Sequence, residues 1–198
     1  NAAGDAFQLG GKNVVVRGNY FHDIDNSVST EHPDFVQSIG GGTTPTLEHS
    51  LIEGNVEKNC ETNQCHFTIF RQCSGAANCS LVGDNIIVRY NYVYNIAGSG
   101  STYGGVGDNA PNGHFYNNTI ATEALDAENG AGVSFQNAPN GVALNNIFYK
   151  ALANGWSPTA GNSMGNGNLI FNPSYSGAWN SPYSTEATYN SLRNKDPL

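Results

Sequence analysis

The sequence is poor in charged residues and especially in cations. Of its 198 residues only 12% are charged, and 8 Lys and Arg stand against 16 Asp and Glu, which gives a net charge of −8. Nucleic acids and anionic membranes attract cationic surfaces, so this balance argues against both as partners. An acidic polysaccharide would need a local basic patch or a bridging cation, and Ca²⁺ is the candidate cofactor for that role.

Long apolar runs are also lacking, and none approaches the length of about 18 residues that a membrane-spanning helix needs. The sequence has no basic-then-apolar leader ahead of Asn1. Residues 1–5 read as the middle of a repeat, so we expect a processed product or a piece of a longer chain whose repeats continue upstream. The abundance of Gly (24 residues) and Asn favours turns and strands over helices.

Cysteine is scarce but clustered, because all four cysteines, Cys60, Cys65, Cys73 and Cys79, lie in one short stretch. Their even number in a cation-poor chain favours disulfides and a secreted or cell-surface location. A zinc site is the alternative, but the short paired spacing of zinc knuckles is missing. Because residues 66–72 read as a strand that would separate Cys65 from Cys73, the preferred pairing is Cys60–Cys65 with Cys73–Cys79.

One pattern recurs along most of the chain: an apolar strand, then Asn, then further apolar or aromatic residues. The asparagines that mark it are Asn19, Asn55, Asn91, Asn118, Asn146 and Asn172. A second column of dipeptides keeps register with the first: Phe7-Gln8, Val36-Gln37, Phe70-Arg71 and Phe135-Gln136. The repeat is about 28 residues long, and its extra residues always enter at the same corner, as in a solenoid.

This period predicts an all-β fold, a right-handed parallel β-helix of about six coils. We assign residues 1–155 to the coils, continuing from any upstream sequence, and residues 156–198 to an irregular C-terminal cap that covers unpaired strand edges. The recurring Asn predicts a ladder of side-chain amides that bond from coil to coil. The alternative is that Asn only tolerates left-handed turn geometry.

Three segments, residues 13–24, 31–37 and 84–96, resemble the right-handed parallel β-helix superfamily of secreted proteins, which includes pectate lyases and other polysaccharide lyases and hydrolases. The stretch His32-Pro33-Asp34-Phe35-Val36-Gln37 is similar to the His-x-Asp-x-x-Gln coil of bacterial β-helix-repeat proteins. The resemblance spans most of residues 5–172, but its motifs are architectural and specify no reaction. It implies a groove for an extended glycan, which the insertions 38–50 and 72–85 would wall.

Polar residues on the strands that open into these insertions are the candidates for chemistry. The candidate catalytic residues are His32, Asp34, His66 and Arg71, and the candidate substrate-binding residues are Gln37, Gln8 and Arg17. A polysaccharide lyase needs a cation to neutralise a uronate carboxylate and a Lys, Arg or His base, which Arg71 and a histidine would supply. A hydrolase needs two carboxylates, for which Glu31 and Asp34 are available. We therefore expect a lyase rather than a hydrolase.

Structural interpretations compete with each of these assignments. Arg71 could form an ion pair with Asp34 or Glu31, and the segments His22-Asp23 and Glu57-Lys58 read as a solvated corner. The aromatic residues Tyr20, Tyr92, Tyr94 and Phe148 are interpreted as core or stacking residues rather than a sugar platform. The alternative function is a structural or adhesive module of a surface fibre, which self-associates end to end.

Two sequons are present. Asn78 and Asn117 would accept a glycan if the host is a eukaryote with a secretory pathway.

Overall fold

The computed structural model describes residues 6–25, 34–40, 47–61, 66–72, 83–97, 112–121, 131–134, 140–149, 154–157, 164–166 and 168–171. All regular elements among these residues are strands, and all of their pairings are parallel. The predicted all-β class is therefore confirmed, with parallel pairing throughout the described part of the chain.

The strands are short, as the frequent turn residues predict. Their bounds are β1 Phe7–Gln8, β2 Gly11–Lys12, β3 Val15–Arg17, β4 Tyr20–Asp25, β5 Asp34–Gly40, β6 Leu47–Glu48, β7 Leu51–Glu53, β8 Val56–Glu61, β9 His66–Gln72, β10 Gly83–Asp84, β11 Ile87–Arg89, β12 Tyr92–Ala97, β13 His114–Tyr116, β14 Thr119–Ala121, β15 Ala131–Ser134, β16 Val142–Leu144, β17 Ile147–Tyr149, β18 Asn154–Ser157, β19 Met164–Asn166 and β20 Leu169–Phe171.

Two six-stranded sheets dominate the fold, and they share one order. The first runs β19-β16-β13-β11-β7-β3 and the second runs β20-β17-β14-β12-β8-β4. Each strand of the first sheet leads directly into the matching strand of the second, so neighbours within a sheet come from successive repeats. Smaller sheets contain β1-β5-β9, β10-β6-β2 and β15-β18. We call residues 6–25 repeat 1 and residues 164–171 repeat 6.

The core forms between the sheets because side chains alternate along each strand. In the first large sheet the buried column is Val16, Ile52, Val88, Phe115 and Ala143, all at most 5% exposed. Aromatic rings fill the space beside β5 and β9, where Phe35 and Phe67 stack with ring centroids 5.1 Å apart. The buried column from Val16 to Ala143 continues without interruption across five strands of the first large sheet, which is the packing that the repeat predicts.

The corner between the two large sheets holds the predicted asparagine ladder. Each asparagine donates its backbone N–H and its Nδ2 to the Oδ1 of the next one, at donor–acceptor distances of 2.8–3.1 Å. The members are Asn19, Asn55, Asn91, Asn118, Asn146 and Asn168. From Asn55 onward, Nδ2 also donates to a backbone carbonyl of the preceding repeat. The ladder prediction is confirmed.

Turn geometry, the alternative explanation for the asparagines, applies to a different column. The residue before each of the first five ladder asparagines has a positive φ: Gly18 (68°), Gly54 (63°), Tyr90 (55°), Asn117 (51°) and Asn145 (54°). Glycine adopts this conformation without strain and asparagine tolerates it better than other residues with a side chain, whereas tyrosine does so rarely. Asparagine therefore has two separate roles at one corner.

Two parts of the predicted register are wrong. The sixth ladder residue is Asn168 and not Asn172, because Leu169–Phe171 pairs with Ile147–Tyr149 and so follows the ladder residue. In the second column, Gln37 lies opposite Ile69, and Arg71 lies opposite Ile39. The match between Phe7-Gln8 and Val36-Gln37 is confirmed. The error arose because Phe70-Arg71 resembles the repeated dipeptide, whereas the residues that lie opposite Val36-Gln37 are Thr68-Ile69, two positions earlier.

The predicted cap and insertions fall largely outside the described residues. Strands β18–β20 lie within or overlap the segment assigned to the cap, and β19 and β20 extend both large sheets. Cys60 is fully buried and is not a free thiol. Because Cys65, Cys73 and Cys79 lie outside the described part, the disulfide connectivity stays a prediction.

We expect Asn91→Leu to lower the free energy of unfolding by roughly 1–3 kcal/mol, because two donors of Asn55 lose their acceptor in a buried corner. Urea unfolding measures this change. Asn19→Leu, at the ladder's first and partly exposed position, should cost less because the Oδ1 of Asn19 accepts no hydrogen bond from the described residues. Equal losses of unfolding free energy in the two variants would contradict the idea that the buried acceptor of Asn91 stabilises the ladder.

Candidate functional site

Two of the predicted catalytic residues meet in the sheet β1-β5-β9. Asp34 begins β5 and His66 begins β9, and the parallel register places them opposite each other. His66 Nδ1 lies 2.5 Å from Asp34 Oδ1. Both side chains are buried, at 0% exposure for Asp34 and 3% for His66. The sequence named both residues as candidates but did not predict this contact, which is an arrangement suited to proton transfer because it gives a histidine a carboxylate partner.

Two predicted substrate-binding glutamines extend this pair into a short chain of hydrogen bonds. Gln37 Nε2 donates to Asp34 Oδ2 over 2.8 Å, and Gln8 Nε2 donates to Gln37 Oε1 over 3.2 Å. Gln8 is exposed, whereas Gln37 is only 5% exposed, because every residue from 34 to 38 of β5 is buried. Gln37 therefore serves here to orient the buried Asp34 and does not offer a surface to a glycan.

A third titratable residue, Glu57, lies in the same interior and was not predicted. It is fully buried in β8, in the core-facing column between Phe21 and Val93. Burial, together with the neighbouring charge of Asp34, raises the pKa of Glu57 to about 8. The interpretation of Glu57-Lys58 as a solvated corner is therefore wrong for Glu57, whereas His22 and Asp23 are exposed as predicted.

The Asp34–His66 pair and Glu57 have suitable groups for acid–base chemistry, but they are buried where a polymeric substrate cannot reach them. The three side chains have exposures of 0%, 3% and 0%. An extended glycan cannot contact them without a rearrangement of the surrounding chain. In this structure the pair acts as a satisfied polar contact inside the fold, consistent with the general rule that buried polar groups are hydrogen-bonded.

The remaining predicted catalytic residues are not brought to this pair by the described structure. His32, residues 41–46 and residues 73–82 of the two insertions lie outside the described residues. The backbone of Arg71 lies in β9, five residues beyond His66, and its side chain is outside the described part. The predicted groove and the proposed Arg71 ion pairs therefore stay predictions.

Arg17, the third predicted substrate-binding residue, lies on the outer face of the first large sheet, in an ionic column. Glu53 accepts from Arg17 Nε at 3.0 Å and from Arg89 at 2.5 Å. The guanidinium of Arg89 also lies over the ring of Tyr90, 5.6 Å from its centroid. One carboxylate thus lies between two cations, which leaves a local excess of positive charge on an acidic protein.

The outer face of the second large sheet carries exposed aromatic residues. Tyr20 is 57% exposed and Tyr92 is 44% exposed, so neither is a core residue, and the stacking role that the interpretation also allowed is the one that applies. Tyr20 stacks on His22 with centroids 4.4 Å apart, and Tyr92 stacks on Tyr94 with centroids 6.1 Å apart. We call the outward side chains of β4, β8 and β12 the aromatic face, which comprises Tyr20, His22, Val56, Lys58, Tyr92 and Tyr94.

The exposed tyrosines and the buried Glu57 could both have been predicted from their positions relative to the ladder asparagines. The residue after each ladder asparagine points outward, which gives Tyr20, Val56 and Tyr92. The next residue points inward, which gives Phe21, Glu57 and Val93. Counting one and two positions from each asparagine would have placed the tyrosines on the surface and Glu57 in the core. The signal was missed because aromatic residues in strands usually indicate burial.

Among the described residues no cluster of three or more His, Cys, Asp or Glu side chains could hold a metal ion. Calcium as a cofactor therefore stays a prediction that this part of the chain does not test. No helix in the described part is long and apolar enough to cross a bilayer. Of the two sequons, Asn117 is exposed at its turn, and Asn78 lies outside the described residues.

The chain matches no protein-family model, no curated protein and no solved structure at a significant level. Its functional interpretation therefore depends on its own residues.

Stability should fall as pH rises between 4.5 and 8, because the folded state holds a proton on Glu57 that the unfolded state releases. This one group contributes a slope of about 1.4 kcal/mol per pH unit. Its contribution is fully present below the unfolded pKa and is lost as pH rises through the folded pKa. Urea unfolding of Glu57→Gln across this range should show that slope removed.

Glu48→Gln is the control, because Glu48 is a partly exposed carboxyl that pairs with Lys12 on the surface. It should retain the fall in stability between pH 4.5 and 8, because Glu57 is still present. A parent and a Glu57→Gln variant with the same pH dependence would contradict the assignment of a protonated Glu57.

Proposed function

We propose that this chain is an extracellular polysaccharide-binding protein, built as a right-handed parallel β-helix, in which an extended glycan lies on the aromatic face. The single observation that carries the proposal is the pair of exposed tyrosines on alternate strands of one sheet. A secreted or cell-surface location follows from the same proposal and is supported by a buried Cys60 that is not a free thiol.

The β-helix scaffold is supported by three features of the described strands. They pair in parallel, the two large sheets share one order, and the asparagine ladder crosses the same corner in every repeat. A scaffold of this kind presents flat, rigid sheets as its outer surfaces. Side chains on such a sheet keep fixed positions, which favours recognition of a polymer with a regular repeat.

The spacing of the aromatic face suits an extended chain of sugar rings. Tyr20 and Tyr92 are separated by one strand, which carries Val56 at the matching position. Two strand intervals amount to about 9–10 Å, and a chain of sugars that crosses the strands would meet a tyrosine at each end of this interval. The apolar C–H face of a sugar packs on an aromatic ring because both surfaces lose water in the contact.

Polar groups beside the rings would bind the hydroxyl and carboxylate groups of the glycan. His22 stacks beside Tyr20 on β4, Lys58 lies opposite His22 on β8, and Tyr94 lies opposite Lys58 on β12. Across the nearby corner lie Arg17 and Arg89, which share Glu53. These cations would offset the repulsion between an acidic protein and an anionic glycan.

Binding is favoured over depolymerisation because the acid–base groups lie away from the surface. Asp34, His66 and Glu57 are buried, and the aromatic face consists of strands β4, β8 and β12. A lyase would need a base within hydrogen-bond reach of a sugar C5 proton. Among the described residues, only His22 and Lys58 are on this face to take that role.

The experiment is a calorimetric binding screen against pectate, alginate, a glycosaminoglycan and neutral glycans. We expect saturable binding to at least one of them. Tyr20→Ala and Tyr92→Ala should each weaken that binding about tenfold, which corresponds to about 1.4 kcal/mol. Assays for unsaturated products and for new reducing ends, run on the same samples, test for lyase and hydrolase activity.

Ile147→Ala is the matched control, because Ile147 is 41% exposed in the same outward column but lies outside the aromatic face. It should leave the affinity unchanged. No binding to any glycan, or equal losses in the tyrosine and isoleucine variants, would contradict the proposal. Cleavage that depends on His22 would show that the face is catalytic.

A further inference from the structure

Tyr90 adopts a backbone conformation that tyrosine rarely takes. Its φ is 55°, in the left-handed region, where the side chain of a bulky residue crowds its own backbone. The same corner position has Gly54 in the preceding repeat and Asn117 in the following one, and both residues adopt this conformation at lower cost. The turn therefore does not explain why a tyrosine is present, and strained positions of this kind are frequent at binding sites.

The contacts of Tyr90 within the described structure do not explain it either. Its side chain is 59% exposed, so it does not pack in the core. The guanidinium of Arg89 lies 5.6 Å from the centroid of its ring. A cation–π contact at an exposed site is weak compared with the strain of a left-handed tyrosine. Stability alone thus gives no reason to keep an aromatic ring at this corner.

The corner beside Tyr90 is bare in the two repeats before it. Gly54 and Gly18 occupy the corner position there, and both are exposed. Apart from their own chain neighbours, no atom of the described residues lies within 4 Å of the place that a Cβ would take at either glycine. We call Gly18, Gly54 and Tyr90 the corner notch, a shallow channel about 9–10 Å long with a tyrosine ring at one end.

The two large sheets provide different groups along the two sides of the corner notch. On one side, Glu53 lies between Arg17 and Arg89. The side chain of Arg17 is 59% exposed and contacts Glu53 through Nε, and a guanidinium has five N–H donors, so Arg17 retains donors for a ligand. On the other side lie the exposed rings of Tyr20 and Tyr92. A row of cations and a row of aromatic rings thus flank one open channel.

We propose that the corner notch holds one edge of the glycan, with Tyr90 packed against a sugar ring and Arg17 bound to an anionic group of the sugar. This inference rests on the proposed glycan site of the aromatic face. A glycan that spans Tyr20 and Tyr92 crosses the strands and therefore runs parallel to the corner notch. The glycines leave room for its edge to approach the backbone and reach Arg17.

The charges beside the corner notch determine the class of glycan. One carboxylate between two guanidiniums leaves an excess of positive charge there. The aromatic face adds Lys58 and has no carboxylate among its outward side chains. The ligand is therefore a polysaccharide with carboxylate or sulfate groups, since a guanidinium binds either anion through paired N–H donors.

Calorimetric titration with two pairs of glycans tests the charge class. Pectate is compared with its methyl ester, and cellulose sulfate is compared with uncharged hydroxyethyl cellulose. At least one charged glycan should bind, and its uncharged counterpart should bind more weakly. The pair that shows the difference identifies carboxylate or sulfate as the group that Arg17 binds.

Tyr90→Asn separates a binding role from a structural one. Asparagine occupies the same left-handed position at Asn117 and Asn145, so the variant should unfold at a temperature no lower than that of the parent. Its affinity for the charged glycan should nevertheless fall about tenfold. Asn145→Gly is the control, because it removes an exposed side chain from the same corner column two repeats away and should leave the affinity unchanged.

Arg17→Gln tests the anionic contact. It should weaken binding of the charged glycan about threefold, the size expected for an exposed ion pair, and should not affect the uncharged counterpart. Lys12→Gln makes the same change of charge at an exposed lysine that pairs with Glu48 outside the corner notch. The affinity of this control should equal that of the parent.

The outcomes distinguish this inference from the proposed function on which it rests. Weaker binding in Tyr20→Ala and Tyr92→Ala, with Tyr90→Asn and Arg17→Gln unaffected, would overturn the corner notch and leave the aromatic face as the glycan site. The reverse pattern would retain the corner notch and contradict the aromatic face.

Three further results would overturn the inference. A lower unfolding temperature for Tyr90→Asn would show that the ring stabilises the chain and would remove the reason to expect a ligand. Equal affinity for a charged glycan and its uncharged counterpart would exclude the anionic contact. Failure of both charged glycans to bind would exclude the charge class.

Discussion

The hydrogen bonding of the corner asparagines is the constraint on which the rest of this structure depends. Each ladder residue fixes the distance between two repeats, because its amide must reach both the next asparagine and a carbonyl of the preceding repeat. The two large sheets begin and end at this corner and so share one register. Once Asn55 and Asn91 are fixed, the residues that follow them alternate between surface and core. Tyr92 on the aromatic face and Val93 in the core are both consequences.

A second constraint is the burial of titratable groups in an otherwise apolar interior. Glu57 occupies a core position where the neighbouring repeats have Phe21 and Val93, and its pKa rises because ionisation there is unfavourable. Asp34 lies in the same interior, where it accepts from Gln37 and contacts His66. The raised pKa of Glu57 makes the interior sensitive to pH, while the surface that we propose for glycan binding does not contain this residue.

Much of the architecture could be predicted because it depends on residues that repeat. The asparagine spacing gave the ladder from Asn19 to Asn146, and alternation beside it gave the core column. The prediction failed where one repeat departs from the others. Asn172 was chosen over Asn168 because the strand before Asn168, Met164–Asn166, lacks the apolar pattern. Phe70-Arg71 was matched to Val36-Gln37 because the two dipeptides look alike, although Thr68-Ile69 is the pair that lies opposite. Asp34 and His66 were identified as candidates, but their burial depends on the packing around the strands and has no local signal.

The amino-acid sequence by itself determined the all-β class, the repeat and the position of the asparagine corner, because a period in the residues directly sets a period in the backbone. It also determined the scarcity of cations and hence the classes of partner that are disfavoured. Only the tertiary structure decided that the polar residues of β5 are buried. Whether Gln37 is exposed depends on how neighbouring parts of the fold cover its strand, and residues far apart in sequence provide that cover. For the same reason, only the folded chain brought Asp34 within hydrogen-bond distance of His66.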